Sequence, residues 1–396
     1  MEHNVVVIGA GYAGLSAAVR AARAAGRVRV TLVNEREHFV ERIRLHEVAA
    51  GRRPTGRPLR TVLKGTGVSL AVGRVTDIDT ERQRVRLTGA DGDREIGYDT
   101  LVYGLGSGAD TSSVPGAARY AHTLAGLGPA QALGDVLPRL AAERATVAVV
   151  GGGLTGIETA AELAEARPGL RVRLVTRSEV GAGFSPRGRR HLLRVLDRLG
   201  VAVTENAEVA EVRADGVVLA DGSEIPAGAT VWTAGHTVPA LARAAGIEVD
   251  AAGRVIVDGT QRSVSHPDVY AVGDAARAAG PGGRPLRMCC AAGLPMSFEA
   301  ARAITARSAA REPRDLRFRY YLRCVSLGRR DGLVQFVAPD DTPHPVVITG
   351  RAAALVKETV VRGAAAFSRG ATLPPARRPR TPVPHMAEEG APFPTA

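Results

Sequence analysis

The chain has 396 residues, of which 45% are hydrophobic, and this size predicts a globular protein of two or three domains of about 100–200 residues. The formal net charge is +12, but arginine is spread along the whole chain, which excludes a dedicated nucleic-acid-binding face. No apolar run approaches the roughly 20 residues that span a bilayer, no leader peptide is recognisable, and three cysteines are too few for a disulfide framework. We therefore expect a cytoplasmic protein, and no ligand spacing predicts a metal site.

Two glycine-rich turns each separate an apolar run from an alanine-rich stretch. Val5–Ile8 precedes the first turn, Gly9–Gly14, and Val147–Val150 precedes the second, Gly151–Gly156. Each pattern predicts a strand, a tight turn and a helix, in which glycines permit the turn, the approach of a pyrophosphate and the packing of helix on strand. Two such units predict two bound dinucleotides, although a glycine-rich loop without a ligand is the alternative for each.

The first turn belongs to a complete β-α-β pattern. A helix is expected from Gly14 to about Ala25, followed by a strand over Val28–Val33. A carboxylate that binds both ribose hydroxyls usually follows this strand. Glu35 is the predicted residue, although Asn34 directly follows the strand and a solvated turn carboxylate is the alternative.

The next elements lead from the first domain into a second. A β-hairpin is predicted from Arg84 to Ile96, turning at Ala90-Asp91-Gly92 because the turn needs a positive φ. The following strand ends in the spaced glycines Gly104 and Gly106. Pro115-Gly116 then indicates a domain boundary.

The second domain is expected to contain the second turn and its helix through about Ala166. A strand over Val172–Val175, a helix from Arg187 to Leu199 and a hairpin at Asp221-Gly222 follow. After Thr230–Gly235 the chain is expected to return to the first domain, with an apolar strand at Val269 that ends in Gly273-Asp274.

Composition changes again near Arg317. Short strand-like segments and a helix over 352–367 predict a small C-terminal domain. Leu355, Val356, Val360 and Phe367 fall on one helical face, which is expected to cover a neighbouring core rather than contact lipid. The Pro-rich end predicts a disordered tail.

The order of these motifs resembles the two-dinucleotide-binding flavoproteins with the glutathione-reductase-like fold. The resemblance rests on Gly9–Gly14, on Leu101–Gly106 and on Thr260 with Val269–Asp274, which match three flavin signatures. It implies an α/β fold with two Rossmann-like domains, for FAD and for NAD(P)H, plus a small C-terminal domain. The expected boundaries are 1–117 and 236–315 for FAD, 118–235 for NAD(P)H, 316–370 for the C-terminal domain and 371–396 for the tail.

Within that fold, Gly151–Leu163 is most similar to type II NADH dehydrogenases, as is His38-Phe39 ahead of Glu47–Ala49. No cysteine precedes Cys289, which excludes the dithiol-dependent disulfide reductases. Residues 281–305 contain no glutamine, whereas the family places glutamines beside its quinone. The acceptor therefore stays open between a quinone and another small conjugated molecule.

The resemblance assigns cofactor contacts by position. Those expected for FAD are Gly9, Gly11, Tyr12, Ala13, Gly14, Asn34, Glu35, Arg44, Val75, Gly104, Gly106, Gly273 and Asp274. Those expected for the nicotinamide nucleotide are Gly151, Gly153, Leu154, Thr155, Gly156, Thr176 and Arg177.

Two residues are predicted to take part in the chemistry. Glu158 is expected to orient the nicotinamide, with a helix-dipole interaction as the alternative, and Arg42 is expected to stabilise an anionic reduced flavin, with a solvated arginine as the alternative. Arg177 stands where an NADH enzyme usually has an acid, so NADPH is expected to be used at least as well as NADH. Cys289-Cys290 is interpreted as core packing rather than a redox pair.

The predicted function is transfer of hydride from NAD(P)H to FAD and of electrons onward to a quinone or other small conjugated acceptor. A tailoring oxidoreductase of specialised metabolism and a flavin-containing redox sensor or partner-binding protein are the alternatives. Homodimerisation and peripheral membrane contact stay open.

Overall fold

The computed structural model describes residues 3–23, 28–53, 56–90 and 92–371. The predicted tail, apart from Ala371, and Ala24, Ala25 and Asp91 lie outside the described residues.

The described residues form twenty-five strands, ten α-helices and three short 3₁₀ helices. The strands are β1 (His3–Ile8), β2 (Val28–Asn34), β3 (His38–Phe39), β4 (Arg57–Pro58), β5 (Val68–Val72), β6 (Arg74–Asp79), β7 (Arg84–Gly89), β8 (Gly92–Gly97), β9 (Thr100–Tyr103), β10 (Gly108–Ala109), β11 (Ala121–Thr123), β12 (Thr146–Val150), β13 (Arg171–Val175), β14 (Ala202–Thr204), β15 (Val209–Arg213), β16 (Gly216–Leu219), β17 (Glu224–Pro226), β18 (Ala229–Trp232), β19 (His236–Thr237), β20 (Val255–Ile256), β21 (Val269–Ala271), β22 (Ala276–Arg277), β23 (Leu322–Ser326), β24 (Gly332–Val337) and β25 (Pro343–Thr349). The α-helices are α1 (Tyr12–Arg23), α2 (Leu45–Ala49), α3 (Leu59–Leu63), α4 (Ala117–Tyr120), α5 (Leu127–Ala142), α6 (Leu154–Ala166), α7 (Pro186–Arg198), α8 (Leu241–Ala244), α9 (Cys290–Ser308) and α10 (Gly350–Ser368). Short 3₁₀ helices cover Arg42–Arg44, Gly273–Ala275 and Pro281–Gly283.

Two five-stranded parallel sheets form the centre of the molecule. The first has the strand order β21-β9-β1-β2-β5, and the second has the order β11-β18-β12-β13-β14. All four residues of β9 and of β18 are buried, which suits parallel strands that are covered on both faces. The expected fold class, with two Rossmann-like domains, is confirmed.

The first sheet joins distant parts of the chain. Helix α1 packs against α9 on this sheet, and β21 pairs with β9 in parallel. The chain therefore returns to its first domain as the sequence predicts, although the exact domain boundaries stay predictions.

Three antiparallel sheets of the described residues have three strands each. They are β6-β7-β8, β15-β16-β17 and β23-β24-β25. The predicted hairpins at Gly92 and Gly222 are both present, and both glycines have a positive φ of 86° and 84°.

Helix α10 covers the β23-β24-β25 sheet and also contacts α1 and α9. The expectation that its apolar face is covered is wrong for Leu355, whose exposure is 70%. Phe367, in contrast, packs against the core of the first sheet. The residues that α10 buries are mostly small and so permit the close approach of its neighbours; they are Ala353, Val361, Ala364, Ala365 and Ser368.

Candidate active site

The first glycine turn combines tight packing with one open position. A Cβ at Gly9 would lie 2.5 Å from the carbonyl oxygen of Gly104, and a Cβ at Gly14 would overlap the carbonyl oxygen of Gly9. Gly11, however, is exposed, and a Cβ there would meet no atom within 4 Å. The free N–H groups at the start of α1 therefore border an open, side-chain-free surface that fits a pyrophosphate.

Asn34 and Glu35 take different places after β2. The N–H of Ala10 donates to Oδ1 of Asn34 at 2.9 Å, so Asn34 fixes the glycine turn. The Glu35 carboxylate is partly exposed and forms ion pairs with Arg74 at 3.2 Å and Arg36 at 3.4 Å. Its role toward a ribose stays a prediction.

The second and third flavin signatures meet in space. The hydroxyl of Ser107 donates to Oδ2 of Asp274 at 2.7 Å, which links β9 to the loop after β21. A Cβ at Gly273 would lie 3.1 Å from the Cβ of Ala13. Segments far apart in the sequence thus form one site. The close backbone contact at Gly273 and the fixed carboxylate of Asp274 are both features that fit FAD. Val75, on β6, is half-buried and packs against the hydrophobic core of the first sheet.

The hydroxyl of Tyr12 is buried and has no hydrogen-bond partner among the described residues. Its ring packs edge-on against Phe39, with 5.1 Å between ring centroids. Burial raises the pKa of Tyr12, so this hydroxyl stays protonated and can donate to a bound group.

The two arginines predicted near the flavin differ in their partners. A Cβ at Gly106 would lie 3.4 Å from Nη1 of Arg42, so Arg42 lies at the second flavin signature. Arg44 instead bonds to Glu41 at 3.0 Å, to Glu47 at 3.1 Å and to Glu358 at 2.8 Å. These three carboxylates accept hydrogen bonds from most of the N–H donors of the Arg44 guanidinium. Arg44 therefore ties the Arg42–Arg44 segment to α10, a role that its sequence position did not indicate.

The second glycine turn repeats the geometry of the first. A Cβ at Gly156 would overlap the carbonyl oxygen of Gly151, whereas a Cβ at Gly153 would meet no atom within 4 Å. Gly153 is the N-cap of α6, and no side-chain cap bonds to the helix. The first turn of α6, with Leu154 and Thr155, can therefore bind a phosphate through its free N–H groups.

Thr176 and Arg177 follow β13 at this second turn. Thr176 is buried and packs against Gly152, whereas Arg177 is exposed. Arg177 has no ion pair or hydrogen bond with the described part of the chain. Its guanidinium is consequently available to a ligand.

Glu158 lies at the junction of three parts of the molecule. It is 7% exposed, and its Oε1 atom lies 2.8 Å from Nζ of Lys357 on α10. The same oxygen accepts from the backbone N–H of Ser326 at 3.0 Å and from its hydroxyl at 3.2 Å. Lys357 also donates to the carbonyl oxygen of Cys324 at 3.4 Å.

Electrostatic interactions keep both members of the buried Glu158–Lys357 pair charged. Burial favours the neutral form of Glu158, but attraction by Lys357 and the hydrogen bonds from Lys357 and Ser326 hold its pKa below the usual value. Burial likewise opposes the charge on Lys357, yet Glu158 raises its pKa. Burial lowers the pKa of His46, which is neutral near pH 7. The site thus holds a carboxylate, an ammonium and a neutral imidazole together.

A cavity of about 570 Å³ opens beside this group. Its walls come from the Arg42–Arg44 segment and α2, from the turn between β23 and β24, and from the first half of α10. His46, Ser326 and Lys357 line it together with the apolar Ile43 and Leu355. Its volume is in the range of small-molecule sites.

The three cysteines lie near the same group and are free thiols. Burial raises the pKa of Cys290 to about 12 and also raises the pKa of Cys289 and Cys324. Thiols of this kind are poor nucleophiles, which agrees with the packing interpretation. Gly293, on the first turn of α9, lies against Gly273, so the start of α9 packs on the third flavin signature.

Sequence reasoning missed Lys357, Ser326 and His46. No local signal marks Lys357 or Ser326, because both reach Glu158 only through the fold. Ser107 directly follows the second flavin signature and was identifiable from that position.

Comparison with known proteins agrees with this geometry. Residues 3–304 match the family described as pyridine nucleotide-disulphide oxidoreductase, and the chain belongs to that family. It is an FAD-dependent oxidoreductase that uses NADH or NADPH.

Two relatives and one solved structure illustrate the likeness. The chain is 34% identical to an NADH dehydrogenase-like protein of Mycobacterium tuberculosis, over 74% of this chain and 78% of that protein. It is 29% identical to a type II NADH:quinone oxidoreductase of the same organism, over 70% and 68% of the two chains. The sulfide:quinone oxidoreductase of Aquifex aeolicus has a similar fold, with a TM-score of 0.79 at 20% identity over 93% of this chain and 91% of that chain. No helix among the described residues is long and apolar enough to cross a membrane.

Proposed function

We propose that this protein transfers reducing equivalents from NADPH or NADH through FAD to a quinone or a related small conjugated acceptor. The cavity beside Glu158 and Lys357 carries the proposal, because Ile43 lines it and the neighbouring Arg42 lies at Gly106 of the second flavin signature. The name of the mycobacterial type II NADH:quinone oxidoreductase supports the same class of acceptor.

The chain's own residues have distinct proposed roles. Tyr12, Asp274 and the glycine turn at Gly11 bind FAD, which supplies the capacity to accept a hydride and to pass electrons onward. Arg42 stabilises negative charge on that group. Glu158 orients the nicotinamide and, through its ion pair, keeps Lys357 charged at the cavity.

Rapid-mixing kinetics test the proposal in two steps. FAD-loaded protein is first mixed with NADPH or NADH, and bleaching of the flavin absorbance near 450 nm is followed. The reduced protein is then mixed with 2-methyl-1,4-naphthoquinone, dioxygen or a ferredoxin. We expect the quinone to reoxidise the protein fastest. Reoxidation by ferredoxin alone, or by no acceptor within minutes, would contradict the proposed acceptor class.

A further inference from the structure

The cavity wall carries more positive charge than its acids neutralise. Four cations line it, namely Arg329, Arg330, Arg351 and Lys357, against the two acids Glu47 and Glu358. Both acids already have partners, since Glu47 pairs with Arg44 and Arg329 and Glu358 pairs with Arg44 and Arg362.

Two of the cations have no partner among the described residues. Lys357 is neutralised by Glu158, and Arg329 bonds to Glu162 and Glu47. Arg330 and Arg351 are exposed, and neither forms an ion pair or a side-chain hydrogen bond with any described residue. Arg351 also stands in the first turn of α10, which contains no acid, so the positive end of the helix dipole adds to its charge.

The same cavity has an apolar wall. Ile43, Ala354, Leu355 and Val361 line it, and Leu355 is 70% exposed. An exposed leucine beside two guanidinium groups that have no partner in the described part of the chain suits a ligand with a flat apolar body and an anionic substituent.

We propose that the cavity selects an aromatic acceptor that carries an acid group, a carboxylate or sulfonate, over a neutral one. Arg330 and Arg351 bind the acid, and Leu355 and Ile43 contact the ring. This inference rests on the proposed function, because it specifies the acceptor of that same cavity. A guanidinium-acid bond is stronger than a neutral hydrogen bond, and its strength falls as salt rises.

Calorimetric titration of the FAD-loaded protein tests the inference without turnover. Saturating NADP⁺ is present to fill the nucleotide site, and the probes are naphthalene-2-sulfonate and the neutral naphthalene-2-sulfonamide. We expect the sulfonate to bind at least tenfold more tightly, with a preference that shrinks at high salt. Equal dissociation constants for the two probes would overturn the inference.

The double variant Arg330→Gln/Arg351→Gln should lower the ratio of the sulfonate affinity to the sulfonamide affinity at least tenfold. The matched control is Arg60→Gln/Arg187→Gln, which removes two exposed arginines that do not line the cavity. An unchanged ratio in the first variant, or an equal loss in the control, would overturn the inference.

A turnover measurement separates this inference from the proposed function. The acceptors are 1,4-naphthoquinone-2-sulfonate and 2-methyl-1,4-naphthoquinone, and the ratio of their KM values is compared between wild type and the Arg330→Gln/Arg351→Gln variant. If neither quinone reoxidises NADPH-reduced protein, the proposed function fails, and the titration still decides the inference. If both are reduced and the ratio is the same in both proteins, the inference fails and the proposed function stands.

Discussion

Arg177 is a single residue that should decide which nicotinamide nucleotide is preferred. It is exposed at the end of β13, beside the open turn at Gly153, and has no partner among the described residues. A guanidinium can bind a 2′-phosphate through a forked pair of charged hydrogen bonds, whereas a carboxylate there would repel it.

We expect Arg177→Ala to raise the KM for NADPH by the equivalent of about 1.5–3 kcal/mol and to leave the KM for NADH almost unchanged. Steady-state kinetics with both nucleotides measure this effect. Arg177→Lys keeps the positive charge but cannot form the paired hydrogen bonds of a guanidinium, so its KM for NADPH should be intermediate. Equal losses with the two nucleotides would show that Arg177 does not contact the phosphate.

Asp274 is the second residue whose substitution should have a specific effect, here on FAD occupancy. Its carboxylate is fixed by Ser107 at 2.7 Å between two flavin signatures. Asp274→Ala removes an acceptor for the ribityl and pyrophosphate region, so we expect purified protein with lower FAD occupancy, measured as the ratio of absorbance at 450 nm to that at 280 nm. Ser107→Ala leaves the carboxylate in place and should cause a smaller loss. Unchanged occupancy in Asp274→Ala would reject the assignment.

The structural role of some residues can be predicted from the sequence, whereas that of others cannot. The glycines at 9, 14, 151 and 156 were identifiable because each is required by the backbone geometry of its own turn. The partners of Glu158 were not, since Ser326 lies 168 residues further along the chain. Arg44 shows the same limit, because Glu358, its partner, is 314 residues away. Local geometry can be read from spacing, but side-chain pairing depends on the finished fold.

At the scale of elements, the Glu158–Lys357 pair joins α6 to α10. Removing one member of a buried ion pair leaves an uncompensated charge and costs about 3–5 kcal/mol, whereas removing both is far less damaging. Lys357→Met should therefore lower the thermal unfolding temperature, and adding Glu158→Gln should recover most of the loss.

This effect should depend on pH. In the wild type the pKa of Glu158 is lowered, so its contribution to stability is present above the unfolded pKa of about 4.3 and is lost as pH falls through the folded pKa. In Lys357→Met, burial would raise the pKa of Glu158, so stability would be lost as pH rises. Thermal unfolding at pH 5 and pH 8 should show the larger difference between variant and wild type at pH 8. A larger difference at pH 5 would contradict the ion pair.

Helix α9 begins with the cysteine pair, and its role is testable at this scale. Burial raises the pKa of both thiols, which disfavours the thiolate needed for disulfide exchange. We expect Cys289→Ser/Cys290→Ser to retain NADPH-dependent reduction of an artificial acceptor within about tenfold, provided FAD remains bound. A loss of several orders of magnitude at full FAD occupancy would establish a redox role for the pair.

On the scale of the whole molecule, the two parallel sheets were predictable from β1 and β12, since each is a short apolar run that ends at a glycine turn. The edge strand β11, with the sequence Ala121-His122-Thr123, has no such signal. The C-terminal region was harder, because apolar residues on α10 serve two purposes. Phe367 packs in a core, whereas Leu355 lines a cavity, and hydrophobicity alone does not distinguish them. Spacing identified the helix, and only the surrounding sheet decides which of its residues are covered.

The proposed FAD site is also a property of the whole molecule, since Gly11, Gly106 and Asp274 come from three separated segments that meet on one sheet. A ligand that binds only the folded state stabilises it by RT ln(1 + [L]/Kd), about 2.7 kcal/mol at a hundredfold excess over Kd.

Because no attachment residue is evident, acid precipitation should release all the flavin and leave a colourless pellet. The protein freed of flavin should unfold at a lower temperature, which added FAD should restore, measured by scanning calorimetry. FMN at the same concentration should restore less, because it lacks the second phosphate and the adenosine that the glycine turn is expected to bind. A yellow pellet would indicate a covalent bond, and equal stabilisation by FMN and FAD would show that the turn at Gly11 does not bind the pyrophosphate.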